Sequence, residues 1–254
     1  MKSIELFAGI GGIALAAEWA GIETIAFCER EPFCQKVLRK HWPSVPIFDD
    51  VCTLNKHVLE ERGVDVGTIE LISGGYPCQP FSSPGNRKGE EDDRHLWPEI
   101  KRLLQEIRPN WFVGENVAGH ITLGLDTVLY DLESIGYTWQ PFVIPAASVG
   151  ANHERYRVFI VAHANGKSEL QTNQKVSSIR KKRITRENTT GRNWREVPRA
   201  HWISHQPSVR RVDDGVSREL DKSRLIALGN AVVPQQIYPI FKYIKEIHDM
   251  ETQE

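Results

Sequence analysis

A chain of 254 residues with 40% hydrophobic and 26% charged residues has room for one α/β domain with a sizeable core, alone or with a small insertion. No run approaches the length of a membrane span, the stretch Met1–Glu5 lacks a signal-peptide layout, and four cysteines without a Cys-x-x-Cys pair make neither a disulfide framework nor a zinc site, so a cytoplasmic protein with reduced thiols and no metal is expected. The net charge of −1 conceals an asymmetry: residues 165–224 carry 15 Lys and Arg against 7 Asp and Glu, while the rest carries 17 against 26. That distribution fits a basic insert that meets phosphates, borne on a body that does other work.

The first elements form a cradle. Ser3–Ala8 reads as a strand, Gly9-Ile10-Gly11-Gly12 as a turn, and Ile13–Ala20 as an Ala-rich helix capped by Gly21. Backbone N–H groups of such a turn approach a cofactor closely. A second strand, Thr24–Cys28, ends at Glu29, about twenty residues after the first glycine, where a carboxylate can accept hydrogen bonds from ribose hydroxyls. Gly9-x-Gly11-x-x-Ala14 also satisfies the relaxed dinucleotide pattern, so this stretch alone leaves NAD and S-adenosylmethionine both open. A helix over Pro32–Trp42 follows, and Val45–Phe48 leads to Asp49-Asp50. Asp50 is placed either to accept from an adenine amino group or to cap a helix over Thr53–Arg62.

The apolar run Thr68–Ser73 predicts a buried strand, and the loop Gly74–Gly85 opens at its carboxyl edge, where open α/β sheets bind ligands. Pro77 and Pro80 stiffen the backbone on either side of Cys78, which makes that thiol a candidate nucleophile. The polar stretch 86–94 has the composition of a lid, and Leu96–Ile107 shows helical spacing ended by Pro109. Trp111–Gly114 is the next strand, with Glu115 at its end; partial desolvation there raises a carboxyl pKa and favours a proton donor.

A helix over Leu125–Ile135, a strand over Tyr137–Val143 and a further strand over His153–Ala162 come next. Arg155 and Arg157 alternate in that strand, so both are expected to project from one face toward one site. Residues 165–218 lose periodicity, with Trp194 and Trp202 among basic residues, and read as a nucleic-acid-contacting insert or a disordered loop. Leu225–Leu228 leads into Gly229-Asn230-Ala231-Val232-Val233-Pro234, and a helix over Gln235–Met250 has enough apolar positions to dock on the sheet.

The ordered set Phe7–Gly12, Pro77-Cys78-Gln79, Glu115-Asn116-Val117, Arg155-x-Arg157 and Gly229–Pro234 resembles the C5-cytosine DNA methyltransferase family, of bacterial or phage type. The resemblance implies a doubly wound, Rossmann-like α/β domain over residues 1–164, a target-recognition region over 165–218, and a segment, 219–254, returning to the first domain. It implies S-adenosyl-L-methionine bound by Phe7, Gly9, Gly11, Gly12, Glu29, Asp50, Asn230 and Val232. It further implies Cys78 as nucleophile, Glu115 on the cytosine N3 and amino group, and Arg157 on O2; by their charge, Arg155 and Arg157 together can offset charge near O2 and keep Cys78 anionic. The partner it implies is double-stranded DNA, met by a monomer in a bacterial or phage-infected cell, and a cognate restriction endonuclease acting separately is compatible with it; recognition residues do not transfer onto the insert, where the basic cluster Lys181, Lys182 and Arg183 is expected from its charge to meet phosphates. His153 departs from the family, which often has Gln there. Three alternatives fit less of the chain: a transfer-RNA-modifying relative, whose Cys-Phe-Thr stretch is absent; an NAD-dependent oxidoreductase, which accounts for the first thirty residues only; and a catalytically silent DNA-binding module.

Overall fold

The structure, a computed structural model, describes residues 1–77, 96–164 and 218–252. Seven strands form one sheet in the order β3-β2-β1-β4-β5-β7-β6. They are β1 (Lys2–Leu6), β2 (Glu23–Cys28), β3 (Ile47–Phe48), β4 (Ile69–Gly75), β5 (Trp111–Val117), β6 (Tyr137–Pro145) and β7 (Tyr156–Ala164). The first five run parallel, whereas β7 pairs antiparallel with both β5 and β6. The order turns back on itself at β1 and β4, so the crevice of a doubly wound sheet lies above their carboxyl ends.

Strand alternation sorts the core into two layers. Ile4, Leu6, Ile72 and Phe112 face α3 (Lys56–Glu61), α4 (Trp97–Ile107) and α5 (Leu125–Ser134), where Leu59, Leu103 and Leu132 complete one cluster. Leu71, Trp111, Val113 and Phe159 face the other way, against Ile13 and Ala16 of α1 (Gly12–Trp19) and Ile237, Phe241 and Ile244 of the C-terminal helix α7 (Pro234–Glu251). The helix α2 (Pro32–His41) packs Leu38 on Phe27 and Ala8. Buried on this second side at the strand ends are the polar residues Ser3, Glu5, Ser73 and Glu115.

Three elements differ from the expectations. β5 runs through Glu115 to Val117, because its last residues still pair with Phe159, Val158 and Arg157 of β7. β7 begins at Tyr156, after the expected strand start at His153. A helix absent from the sequence reading, α6 (Arg218–Asn230), ends inside the Gly229–Pro234 motif, and its first residue is the last residue assigned to the insert. Residues 165–217, with Lys181, Lys182 and Arg183, lie outside the described residues, as do residues 78–95, with Cys78 and the stretch 86–94 read as a lid.

Candidate active site

Following the last residue of β1, Phe7 adopts φ 54, and Ala8 N–H donates to Cys28 O at 3.2 Å, which ties the turn to the end of β2. Glu29, one residue beyond β2, fixes the next part of the turn: its Oε2 accepts from Gly9 N–H at 2.6 Å and its Oε1 from Glu31 N–H at 2.6 Å. Each carboxylate oxygen keeps lone pairs for a further donor. Gln35 on α2 then donates to both Glu29 O (2.7 Å) and the Asp49 carboxylate (2.8 Å), binding the ends of β2 and β3 together. Gly12 leaves room for the opposite wall, since a Cβ there would lie 2.7 Å from the Val232 carbonyl oxygen.

These groups enclose a cavity of about 440 Å3 at the carboxyl edge of the sheet. Of the residues expected to hold a cofactor, Phe7, Gly9, Gly12, Glu29, Asn230 and Val232 line it. Gly11 does not: it is the left-handed residue before α1, packed toward Trp42 and Leu38, so its part is to shape the turn. Asp50 lines a smaller cavity of about 250 Å3 with Phe7, Arg30 and Val51. Phe7 belongs to both cavities. Asp50 Oδ1 accepts from Cys52 N–H at 2.9 Å, while Asn55 rather than Asp50 caps α3.

The same 440 Å3 cavity carries Glu115 and Arg157. The register places Gly75 of β4 opposite Glu115 and Val117 opposite Arg157, so Glu115 and Arg157 are diagonal neighbours on one face of the sheet. Arg157 Nε donates to Glu115 Oε1 at 2.8 Å. On the other side of the carboxyl, a Cβ at residue 75 would sit 2.7 Å from Glu115 Oε2, so glycine there keeps the second oxygen clear. Glu115 is 7% exposed. Burial pushes its pKa from 4.5 to about 7 against the opposing pull of Arg157 and Arg155. The carboxyl therefore holds a proton at higher pH than an ordinary glutamate does.

Gly75, Tyr76 and Pro77 line the cavity as the chain leaves β4. Tyr76 is held from β5 and the turn after it: Asn116 Nδ2 donates to Tyr76 O at 3.1 Å, and the Tyr76 hydroxyl lies 2.9 Å from His120 Nε2. Cys78, the next residue but one, falls outside the described residues.

The expectation that Arg155 and Arg157 share a face requires correction. Arg155 precedes β7, and its φ of 29 takes it out of strand geometry, so period-two alternation does not reach it. Its Nη2 donates instead to the carbonyls of Gly229 and Ala231, both at 2.6 Å. Glu5 was not singled out in the sequence. It lines the cavity and is 1% exposed, and burial drives its carboxyl pKa well above the usual range, offset only in part by the Ala14 backbone N–H. A charge set between Ile4 and Leu6 at the base of a glycine turn was the available signal. Gln236 was missed as well: fully buried, it donates to Ile144 O (2.7 Å) and Arg155 O (3.1 Å).

An open sheet with one reversed strand, a glycine turn tied to a carboxylate at the end of β2, and a second buried carboxylate across the crevice define a Rossmann-like methyltransferase domain. The chain belongs to the family of C-5 cytosine-specific DNA methylases, whose model matches residues 1–211. It is 34% identical over 182 residues to the Type II methyltransferase M.AquIA of Picosynechococcus sp., covering 66% of this chain and 73% of that protein. To the Type II methyltransferase M.CviJI of Paramecium bursaria Chlorella virus IL3A it is 30% identical over 241 residues, covering 93% of this chain and 57% of the relative. Among solved structures, one described as a DNA modification methyltransferase encoded within an E. coli prophage matches with a TM-score of 0.54 at 26% identity, over 65% of this chain and 47% of that one. The chain spans about half the length of most curated relatives it matches.

Proposed function

We propose that this chain is a DNA (cytosine-5-)-methyltransferase, which transfers a methyl group from S-adenosyl-L-methionine to C5 of a cytosine flipped out of double-stranded DNA, through an adduct of Cys78 at C6. The observation that carries this reading is the Glu115–Arg157 pair at 2.8 Å, set in one cavity with Gly9, Glu29, Asn230 and Val232 and with Pro77, the residue before Cys78.

The cavity suits this donor in charge. Among the described residues its lining has four carboxyl groups, Glu5, Glu29, Glu31 and Glu115, and one guanidinium, Arg157, which is already paired. A dinucleotide would set its pyrophosphate against carboxylates, whereas a ligand bearing a sulfonium and an ammonium is complementary to them. The residues suited to hold it are the Gly9–Gly12 turn, Glu29 for the ribose hydroxyls, Phe7 and Asp50 on the side of the smaller cavity, and Asn230 and Val232 on the facing wall. Bound there, it supplies a methyl group on a sulfonium sulfur.

The protein's own groups have the rest to do. C5 of cytosine is a poor nucleophile, so the Cys78 thiolate adds to C6 and drives electron density to C5, which takes the methyl. A free thiol is a few per cent ionised at neutral pH, and neighbouring cations raise that fraction. Addition leaves negative charge on the ring. Glu115, protonated at Oε2 while Oε1 accepts from Arg157, donates to N3, and Arg157 offsets charge at O2. Loss of the C5 proton to solvent then expels the thiolate, and return of the N3 proton to Glu115 restores the ring and the enzyme. Because the base must leave the stack at a cost of a few kcal/mol, residues 165–218 are assigned to target recognition, with Lys181, Lys182 and Arg183 on phosphates.

Bisulfite sequencing of a plasmid carrying this gene, in a host without cytosine methylation, tests the proposal. Protected cytosines are expected in one short recurring context and in none with Cys78→Ala. Full conversion, from soluble protein that binds S-adenosylmethionine, would overturn DNA as the substrate.

A further inference from the structure

The paired arginines of β7 and the turn before it divide their labour. Arg157 lines the cavity and pairs with Glu115, whereas Arg155 is not in the lining. Its guanidinium spans to a segment more than seventy residues away and donates to the two carbonyls, Gly229 O and Ala231 O, that bracket Asn230. Those carbonyls terminate α6, where helix ends leave acceptors without intrahelical partners. The next carbonyl, that of Val232, abuts Gly12 at the start of α1, and Val232 packs in one cluster with Ile13, Ile237 and Phe241. Asn230, Ala231 and Val232 all line the cavity opposite the Gly9–Gly12 turn.

The base of Arg155 is held as well. Its carbonyl accepts from Gln236 Nε2 at 3.1 Å and from Ala146 N–H at 3.3 Å, and Gln236, on the helix that follows the motif, also donates to Ile144 O. A non-glycine residue at φ 29 occupies a sparsely populated region, which persists where surrounding bonds over-determine it. The strand that carries Arg157 is thereby fastened to the wall of the cavity through one side chain and one backbone carbonyl.

We infer that Arg155 is a positioning residue: its guanidinium holds the Gly229–Val232 wall in place and so sets the affinity for the methyl donor, while Arg157 alone of the pair serves the base. The wall itself is observed; its being the donor's wall rests on the function proposed above. Two readouts separate these. Hydrogen exchange on the protein without ligand reports the wall alone, and calorimetric titration with S-adenosyl-L-methionine reports the donor site.

In Arg155→Ala, amide exchange over 229–232 is expected to accelerate by about tenfold or more while the β1 and β4 amides keep wild-type rates, and the Kd for S-adenosyl-L-methionine to rise by about tenfold or more. Arg155→Lys, whose ammonium retains donors for both carbonyls, recovers most of both. Arg155→Met keeps the aliphatic stem and carries the same test if the alanine variant does not fold. The rate of methyl transfer at saturating donor falls several-fold less than the affinity. Unchanged exchange over 229–232, or a Kd within about twofold of wild type together with lost transfer, would overturn the inference and return Arg155 to the base. Accelerated exchange in a protein that never binds the donor would uphold the bracing of the wall and refute the proposed function instead.

Discussion

The two halves of the cavity are built by different means. On the proposed donor side, the Gly9–Gly12 turn is held by the Gly9 N–H on Glu29, and Val232 approaches so closely that only glycine fits at position 12. On the base side, Glu115 and Arg157 owe their meeting to sheet register, which sets them diagonally on neighbouring strands and buries the carboxyl. A turn held by a few hydrogen bonds can be tuned with little effect on chemistry. A buried carboxyl with a pKa of about 7 is chemistry itself. The contrast predicts different kinetic signatures for substitutions on the two sides.

The largest effect after loss of the nucleophile is expected from Glu115→Gln. The amide can still donate a hydrogen bond but cannot deliver a proton, so transfer should fall by about 10²–10⁴-fold with donor affinity within a few-fold. Because the carboxyl must be protonated, the wild-type rate should decline above pH 7. Removing the cation in Arg157→Ala takes away a group that lowers the Glu115 pKa, so that limb should move to higher pH in the residual activity. A limb that stays in place would separate the pH dependence from Glu115. Stability gives an independent reading of the same group. Its folded pKa lies above its ordinary value of 4.5, so the folded state holds the extra proton and stability drains as pH rises from about 4.5 to about 7. Thermal melts of Glu115→Gln should lose that slope.

Glu29→Ala should show the opposite signature. It removes the acceptor for Gly9 N–H and Glu31 N–H as well as the proposed ribose contact, so the Kd for S-adenosyl-L-methionine should rise by about tenfold or more with a smaller change in the saturated rate. Equal losses in both would show that the turn also shapes the base side. Smallest is the effect of replacing Lys181, Lys182 and Arg183 with Ala: DNA binding weakens across sequences, and the salt slope flattens by at most about 2.7, the value for three phosphate contacts. An unchanged slope would make that cluster a solvated surface.

Most of the donor side was legible in the sequence, because a strand, a glycine turn, a helix and an acid some twenty residues on are local features. Glu115 was legible as an acid ending an apolar strand. Arg155 was misread because alternation holds only inside a strand, and its φ of 29 cannot be inferred from neighbours such as Glu154 and Tyr156. The helix α6 was hidden by Leu225-Ile226-Ala227-Leu228, an apolar run without helical period; Ile226 and Leu228 are in fact exposed, 51% and 63%, with Ala227 buried between them. The reversed strand β7 gave no signal either, because apolar strands buried on both faces read alike in either direction.

The central claim is that one cavity brings a methyl donor, a flipped cytosine and Cys78 together. Its most direct test is incubation of the protein and S-adenosyl-L-methionine with DNA containing 5-azacytosine, which needs no knowledge of the target sequence. The thiolate can add to C6 of that base and a methyl group can be accepted at the ring nitrogen, but no proton is left to eliminate, so the adduct should survive denaturation and map by mass spectrometry to the peptide bearing Cys78. A denaturant-resistant complex in the wild type, absent in Cys78→Ala, is the predicted result. No complex from protein that binds both DNA and donor, or one linked through another residue, would contradict the account.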